Sequence, residues 1–214
     1  MPRIIETTVY TIDELSDEAK ESARCWYRQA GIHDEWYDFV YEDFETICRI
    51  LGITLATTPV RLYGGGTRDK PRIMFSGFAN QGDGACFEGW WSHARGSRKA
   101  IRAHAPKDEG LHRIADVLQE TAKRNFYQLN ATVRHRGRYC HEYTMAIEVE
   151  RDSPTWQPPT DGAEDAVTEA LRDLARWLYR QLRSEYEHQT SDEVVDEALD
   201  ANAFSFTAEG KRFG

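Results

Sequence analysis

Apolar residues recur at helical spacing in the first quarter of the chain. Ala19, Ala23 and Trp26 lie on one face of a predicted helix whose N-terminus Ser16 would cap. A second apolar stripe ends at Gly52, and glycine commonly terminates helices. The apolar residues of this second stripe are Trp36, Val40, Phe44, Ile47 and Leu51. Two N-terminal helices are therefore predicted.

Strand-like patterns replace this spacing in the centre of the chain. Residues 59–63 and 72–78 flank three consecutive glycines, which is typical of two strands joined by a turn. A third predicted strand, ACFEGWWSH, follows the turn segment NQGDG. Residues 3–10 alternate enough to predict a further strand. The centre is therefore expected to form an antiparallel meander.

The clearest hairpin signal spans residues 131–149. Alternate residues between Ala131 and His135 face one side, and the alternation resumes after Gly137. The two apolar faces match only when the numbers of paired residues sum to an even value. A three-residue loop over residues 137–139 meets this condition. The pairs that this register predicts are His135 with His141, Arg134 with Glu142, and Thr132 with Thr144.

Helical patterns return in four further segments. They are a basic helix at 97–104, a helix capped by Asp108, a long helix after the proline-rich connector 153–162, and a final helix opened by the capping box 190–193. The apolar residues are Leu111, Ala115, Leu118, Ala122 and Leu129 in the second segment, and Leu171, Leu174, Leu178 and Leu182 in the third. Residues 204–206 predict a closing strand.

Helices at both ends and strands between them predict the α+β class. We expect an antiparallel sheet of about five or six strands, packed with the N-terminal and C-terminal helices. The 214 residues contain no internal repeat and no convincing domain boundary. A single α+β domain over residues 1–214 is therefore predicted.

The composition is that of a globular protein, with 40% hydrophobic residues and no run of about 18 apolar residues. The first residues lack the apolar stretch of a signal peptide. Cys25, Cys48, Cys86 and Cys140 are far apart and form no CxxC pair, so no zinc or redox motif is predicted. We expect reduced, buried cysteines, a cytoplasmic location and no membrane partner. The oligomeric state stays open.

The net charge of −9 is distributed unevenly. Residues 5–45 sum to −9 and residues 161–200 to −8, whereas residues 46–160 sum to +6. Acidic helices lying against a basic sheet region explain this pattern through solubility and internal complementarity. The alternative is two surfaces that bind different partners.

The segment SGFANQGDGACFEG is the first candidate site. Glycines allow backbone N–H groups to approach an anion, so Asp83 with Gly82 and Gly84 is a candidate binding loop. The segment lacks the GK[ST] ending of a P-loop and the alternating carboxylates of an EF-hand. A hairpin turn that uses the glycines for positive φ is the favoured interpretation.

The histidines form the second candidate. His135 and His141, predicted to be neighbours, would bind a divalent metal together with Asp83 or Glu142, which would make the protein a metal-dependent hydrolase or nuclease. No HExxH, HxH or DxD spacing supports this hypothesis, and Glu142 is predicted to face away from His141. Structural histidines are therefore favoured, and no metal or cofactor is predicted.

Basic and aromatic residues of the centre form the third candidate. Arg134, Arg136 and Arg138, with Trp90 as a stacking platform, are the residues that would bind nucleic acid. The further members of this set are Arg95, Arg98, Lys99, Arg102, Phe78, Phe87 and Trp91. The chain is acidic overall and has no RNP-like signature. Nucleic acid is therefore the alternative partner.

Five segments resemble an uncharacterised family carried by phages and prophages, whose members are sometimes labelled as the antitoxin of a toxin–antitoxin stability system. They are VYTIDELSDEAKESARCWYR, FSGFANQGDGACFEG, LHRIADVLQE, RHRGRYCHEY and FTAEGKR, and the QGDGACF block is the most distinctive. The resemblance covers most of the chain and brings no catalytic residues with it.

This resemblance implies an accessory protein in the cytosol of a bacterial host. Such a protein would bind and inhibit or modulate a host factor, for example a defence component of CRISPR type. Acidic helices suit a basic, nucleic-acid-binding host protein as the partner. A non-enzymatic binding function is favoured, and an antitoxin is a further alternative.

Overall fold

The computed structural model describes residues 3, 6–30, 32 and 35–214. Six α-helices lie in this part of the chain: α1 (Asp17–Ala30), α2 (Asp38–Leu51), α3 (Ser97–His104), α4 (Glu109–Arg124), α5 (Ala163–Gln189) and α6 (Asp192–Ala201). Its strands are β1 (Ile53–Leu55), β2 (Thr57–Arg61), β3 (Thr67–Pro71), β4 (Ile73–Phe75), β5 (Ala85–Phe87), β6 (Gly89–Ser92), β7 (Leu129–His135), β8 (Met145–Arg151), β9 (Ser205–Phe206) and β10 (Arg212–Phe213). The α+β class is confirmed.

The helices begin where their caps predict. The Ser16 hydroxyl accepts a hydrogen bond from the Ala19 N–H, and the Asp108 carboxylate accepts one from the Leu111 N–H at 2.9 Å. The hydroxyl of Ser191 caps α6, one residue later than the S/T-x-x-E pattern starting at Thr190 suggests. Local side-chain chemistry therefore sets these helix starts.

The main sheet is smaller than the sequence predicts. It has four antiparallel strands in the order β1-β6-β7-β8, so the expectation of five or six strands is wrong. The remaining strands pair as β2-β3, β4-β5 and β9-β10. The physical reason is a change of pairing partner within three extended segments.

Three residues mark this change: Ala56 lies between β1 and β2, Arg72 between β3 and β4, and Glu88 between β5 and β6. The Ala56 N–H donates to the Glu88 carbonyl (2.8 Å), the Glu88 N–H to the Arg72 carbonyl (3.0 Å), and the Arg72 N–H to the Ala56 carbonyl (2.7 Å). We call this closed ring the three-strand junction. Each segment pairs with one neighbour before the junction and with the other after it, which splits one large sheet into three pairings.

The described residues form two compact units. The terminal unit comprises residues 1–38 and 184–214, and the central unit comprises residues 39–183.

One face of the main sheet lies in the core of the central unit. Leu129, Ala131 and Val133 of β7 are buried, whereas the residues between them are not. Phe44 of α2 meets Phe87 edge to face, with ring centroids 5.5 Å apart. The other residues of this core include Trp91, Leu111, Leu118, Leu171, Leu174 and Leu178. Burial of these side chains supplies the main driving force for folding.

The terminal unit has a core of its own. Ala19 and Ala23 of α1 pack with Val195 and Leu199 of α6 around Phe206. The Arg24 guanidinium pairs with Asp196 and Asp192, and Arg28 with Asp192 and Glu21. The neighbouring arginine lowers the pKa of Asp196. Small residues on α1 allow the close approach of α6, and the ion pairs flank that contact.

The β7–β8 hairpin has a different register from the one predicted. His135 pairs with Met145, Arg134 with Ala146 and Thr132 with Glu148, so each partner is four positions later than expected. The sums of paired numbers are still even, so the face assignments hold. Residues 136–144, including the 3₁₀ turn Glu142–Thr144, form a longer connection than the predicted three-residue loop.

Two further predictions fail at segment ends. Leu129 begins β7 and does not continue the apolar face of α4. Residues 4 and 5 of the predicted first strand lie outside the described residues, and residues 6–9 form no strand, although Tyr10 makes an isolated bridge with Phe206. Within the described part of the chain, no helix is both long enough and apolar enough to cross a membrane.

The turn between α4 and β7 depends on a buried asparagine. Asn125 is 0% exposed, and its side chain donates to the Thr121 carbonyl and the Thr160 hydroxyl and accepts from the Thr160 N–H. Phe126 and Tyr127 follow it in the left-handed region, with φ of 56° and 61°. Such φ values are uncommon for aromatic residues, so the asparagine bonds offset backbone strain.

We expect Asn125→Ala to lower the free energy of unfolding by about 2–3 kcal/mol, because it removes three hydrogen bonds made by a fully buried side chain, to Thr121 and Thr160. Asn202→Ala is the matched control, since Asn202 is exposed and donates one bond to the Ala198 carbonyl. Its cost should stay below about 1 kcal/mol. Urea denaturation of both variants measures the difference, and equal costs would contradict the role given to Asn125.

Candidate metal centre

Three potential metal donors meet in the central unit. Cys86, His135 and Cys140 each offer one donor atom, and these atoms all lie within 4.8 Å of one another. In the part of the chain that the structure describes, this is the only group of three or more histidine, cysteine or carboxylate side chains that could hold a metal ion. The residues come from β5, from the end of β7 and from the connection before β8. The group is therefore a product of the tertiary fold.

Cys86 is the buried donor. It is the middle residue of β5, whose three residues are all buried, and its exposed fraction is 0%. Burial and the neighbouring Cys140 raise the pKa of the Cys86 thiol to about 12, while the side chain of Thr144 opposes the rise. The thiol is therefore protonated at neutral pH, and a bound cation would have to displace its proton.

His135 is held by hydrogen bonds at its backbone and at its ring. Its N–H donates to Glu88 Oε1 at 2.9 Å, and the other oxygen of Glu88 pairs with Arg72 at 2.9 Å. Both of these partners belong to the three-strand junction. The His135 Nε2 lies 2.8 Å from the Tyr139 carbonyl. A carbonyl only accepts, so Nε2 is the donor in this bond and Nδ1 is the ring nitrogen that is left to bind a ligand.

Cys140 lies in the half-buried part of the connection between β7 and β8. The Arg136 N–H donates to the Thr144 carbonyl at 2.8 Å, which closes the connection. The Thr144 hydroxyl donates to the His141 carbonyl at 2.7 Å. Arg176 of α5 donates to the Glu142 carboxylate at 3.0 Å. The first two bonds fold the irregular segment on itself, and the third joins it to α5, without strand pairing.

Gly84 allows this close approach. A Cβ atom at Gly84 would lie 2.5 Å from His141 Cβ, 2.8 Å from His141 Cα and 3.0 Å from the Cys140 carbonyl oxygen. A side chain here would therefore displace the backbone that carries Cys140. Gly84, the second glycine of the QGDGACF block, is therefore needed because there is no space for a side chain next to the metal donors.

The donor set suits a soft or borderline metal ion. Thiolate and imidazole ligands favour Zn²⁺ and Cu⁺ over Mg²⁺ and Ca²⁺, which prefer oxygen. Zn–S bonds of about 2.3 Å and Zn–N bonds of about 2.0–2.1 Å place tetrahedral donors roughly 3.5–3.8 Å apart. Donors within 4.8 Å therefore need small shifts to meet one ion. Three protein donors leave one coordination position open.

The family described as a domain of unknown function, DUF8835, matches residues 36–192. The chain belongs to this family. The DUF8835 match contains all three donors, Gly84 and the three-strand junction. No curated protein and no solved structure matches the chain.

The predicted binding loop of the DUF8835 chain is a turn. The Asp83 carboxylate accepts from the N–H groups of Ala79 and Asn80, at 3.0 and 2.7 Å. Gly82 has a φ of 93°, as the turn interpretation requires, and faces the Tyr139 ring. The positive φ predicted for Gly84 is wrong, because Gly84 is needed for space and not for a left-handed backbone. Asp83 thus stabilises its own turn and is not a member of the Cys86–His135–Cys140 group.

The predicted pairing of His135 with His141 is wrong, since His135 pairs with Met145. The His141 Nδ1 accepts from the Tyr143 N–H at 3.2 Å, so this histidine caps the 3₁₀ turn. His135 belongs to the donor group but His141 does not. No spacing motif pointed to the two cysteines, because the fold alone brings them together. The one available signal was the proximity of His135 and Cys140 in the sequence.

The predicted basic and aromatic set is divided by the fold. Arg134, Arg136 and Arg138 are exposed, and Arg136 lies 3.7 Å from Glu148. Trp90 is 55% exposed on the polar face of the sheet, whereas Phe87 and Trp91 are buried. The carboxylates of Asp116 and Glu120 pair with Arg98 and Arg102 of α3. The acidic face of α4 therefore neutralises part of the predicted basic surface.

We expect Gly84→Ala to lower the free energy of unfolding by about 1–3 kcal/mol, because the added methyl group overlaps the backbone at His141. Gly64→Ala is the control, since a Cβ there meets nothing within 4 Å. It should be neutral or slightly stabilising. Thermal and urea unfolding of the two variants check this. Equal stability would show that the connection does not need to approach β5 this closely.

Proposed function

We propose that this DUF8835 protein binds one zinc ion through Cys86, His135 and Cys140. The observation that carries the proposal is that three donor atoms from separate segments lie within 4.8 Å of one another. A hydrogen bond from Nε2 to Tyr139 leaves Nδ1 of His135 as the free ring nitrogen. Orientation of a histidine by such an outer bond is usual in zinc sites.

Zinc would fix the irregular connection against the sheet. Cys140 is the donor that β-pairing does not position, whereas Cys86 and His135 lie on strands. A metal ion that joins all three would stabilise the folded state, because the unfolded chain has no such site. Structural stabilisation of the connection is therefore the role that this donor set favours.

The open fourth position keeps a hydrolytic role as the alternative. A zinc-bound water at such a position has a pKa near 7 and can act as a nucleophile. A general base beside it would be required. Both oxygens of Glu88 are already occupied, by the His135 N–H and by Arg72. This occupancy favours the structural role.

We expect the purified protein to contain about one zinc ion per chain after exposure to zinc and gel filtration. Loss of a side chain that only orients a metal ligand weakens metal binding about 10–100-fold. Cys86→Ser and Cys140→Ser should each weaken zinc binding by more than this, because each removes a thiolate ligand. Elemental analysis and competition with a chromogenic chelator give stoichiometry and affinity. Cobalt substitution should produce thiolate-to-metal charge-transfer absorption in the wild type, and Cys86→Ser and Cys140→Ser should weaken or abolish it.

Two variants serve as matched controls for this experiment. Cys25→Ser removes the exposed cysteine of α1, and His141→Gln removes the capping histidine next to Cys140. Both should retain zinc with nearly unchanged affinity. His135→Gln should lose it. Zinc binding that survives all three donor substitutions, or wild-type protein without zinc, would refute the proposal.

We propose a second role, the binding of a basic host protein, which the charge distribution favours. The setting, an accessory protein of a phage or prophage, is the one that the resemblance implies. The terminal unit has 17 acidic and 6 basic residues, a formal charge of −11, whereas the central unit has 19 acidic and 21 basic residues, or +2. Most of the net negative charge of the two acidic ends of the sequence thus lies in one unit. Two candidates for the basic partner are a defence component of CRISPR type and the toxin of a toxin–antitoxin pair.

We expect neutralisation of the exposed acids of α6 to weaken such a complex. The test variant combines Glu193→Gln, Glu197→Gln and Asp200→Asn, and the control combines Asp161→Asn, Glu164→Gln and Asp165→Asn in the central unit. A host protein retained after nuclease treatment is first identified with the wild type, and its Kd is then measured at two salt concentrations. The test variant should bind at least about 10-fold more weakly at low salt, and the control should not. Equal binding by both variants would remove the support that the charge distribution gives.

A further inference from the structure

The two cysteines of the metal centre differ in exposure. Cys86 is fully buried in β5, whereas Cys140 is half-buried and follows three exposed residues, Gly137, Arg138 and Tyr139. The sulfur atoms lie within 4.8 Å of each other, and the two thiols interact directly. A disulfide requires a sulfur–sulfur distance of about 2.05 Å. Disulfide formation therefore requires the two sulfur atoms to move closer by less than about 2.8 Å.

We infer that Cys86 and Cys140 are an oxidation site, at which a peroxide produces an intramolecular disulfide and expels the bound zinc ion. The expulsion of zinc rests on the proposed zinc site, whereas disulfide formation does not. Cys140 reacts first, because it is the member of the pair that solvent and small oxidants reach. Cys86 is the resolving cysteine, because its sulfur is already next to that of Cys140.

The reaction consumes one hydrogen peroxide molecule and two electrons. The Cys140 sulfur attacks a peroxide oxygen, the O–O bond breaks, and the products are a sulfenic acid and one water. The Cys86 sulfur then attacks the Cys140 sulfur, the S–O bond breaks, and the second oxygen leaves as water. The two sulfurs supply both electrons. The two protons come from the thiols in the metal-free protein and from solvent in the zinc-bound protein.

Zinc is lost because its thiolate ligands are consumed. A thiolate is the form of cysteine that coordinates a metal, and neither sulfur of a disulfide is a thiolate. One of the three protein donors, His135, then remains. Reduction of the disulfide regenerates both thiols, so the site recovers when a reductant and zinc are supplied. The connection between β7 and β8 thereby changes from a metal-linked to a sulfur-linked state.

The experiment uses the full chain loaded with zinc and treated with one equivalent of hydrogen peroxide. We expect release of about one zinc ion per chain, detected with a chromogenic chelator, and a mass loss of two hydrogens under non-reducing conditions. Peptide mapping should show a Cys86–Cys140 link. A phosphine reductant with added zinc should restore the original metal content.

Cys25→Ser and Cys140→Ser separate the outcomes. Cys25→Ser, which removes the exposed cysteine outside the centre, should release zinc and lose two hydrogens like the wild type. Zinc-loaded protein that keeps its metal and both thiols would overturn the inference, as would oxidation of Cys140 to a sulfinic acid without a link to Cys86. Protein that never binds zinc would overturn the proposed function and the metal-release step, while a Cys86–Cys140 link in that protein would still support the oxidation site. Cys140→Ser must give no such link.

Discussion

The closed ring of hydrogen bonds among Ala56, Arg72 and Glu88 is the constraint on which the centre depends. Each backbone segment leaves one pairing partner at the ring and joins another. The side chains of Arg72 and Glu88 meet at the same place, and Glu88 also receives the His135 N–H. The junction therefore sets both the division of the sheet and the position of one metal donor. If one continuous sheet ran through these residues, β5 and the end of β7 would lie in different positions.

The helices could be predicted from the sequence because their signals are local. Ser16, Asp108 and Ser191 bond to backbone groups within three residues, and the apolar stripes need only helical spacing. The sheet could be predicted only in part. Nothing in the identity of Ala56, Arg72 or Glu88 marks a change of partner. The hairpin faces followed from alternation, but the register depended on residues 136–144, where a 3₁₀ turn replaces strand.

The same distinction between local and long-range signals explains the site predictions. Asp83, Gly82 and Gly84 were identified as turn residues, and the hydrogen bonds of Asp83 are those of a turn. His135 was identified because His141 was its predicted neighbour. The register is shifted by four residues, and the donors next to His135 are Cys86 and Cys140. Buried cysteine was the favoured interpretation, and it holds for Cys48 and Cys86 but not for Cys25 and Cys140. Exposure of a cysteine depends on tertiary packing, which spacing alone does not contain.

The asymmetry of the donors connects the proposed zinc site with its oxidation. A centre built only from strand residues would be rigid and closed, and oxidants would reach it slowly. Here the Cys86 sulfur is buried on β5, whereas the Cys140 sulfur belongs to the connection between β7 and β8. Hydrogen bonds of the Thr144 and Glu142 side chains fix the shape of that connection. Gly84 is what permits that connection to lie against β5. The close approach that creates the donor group therefore also places a reachable sulfur beside a resolving one, so metal binding and thiol oxidation draw on the same geometry.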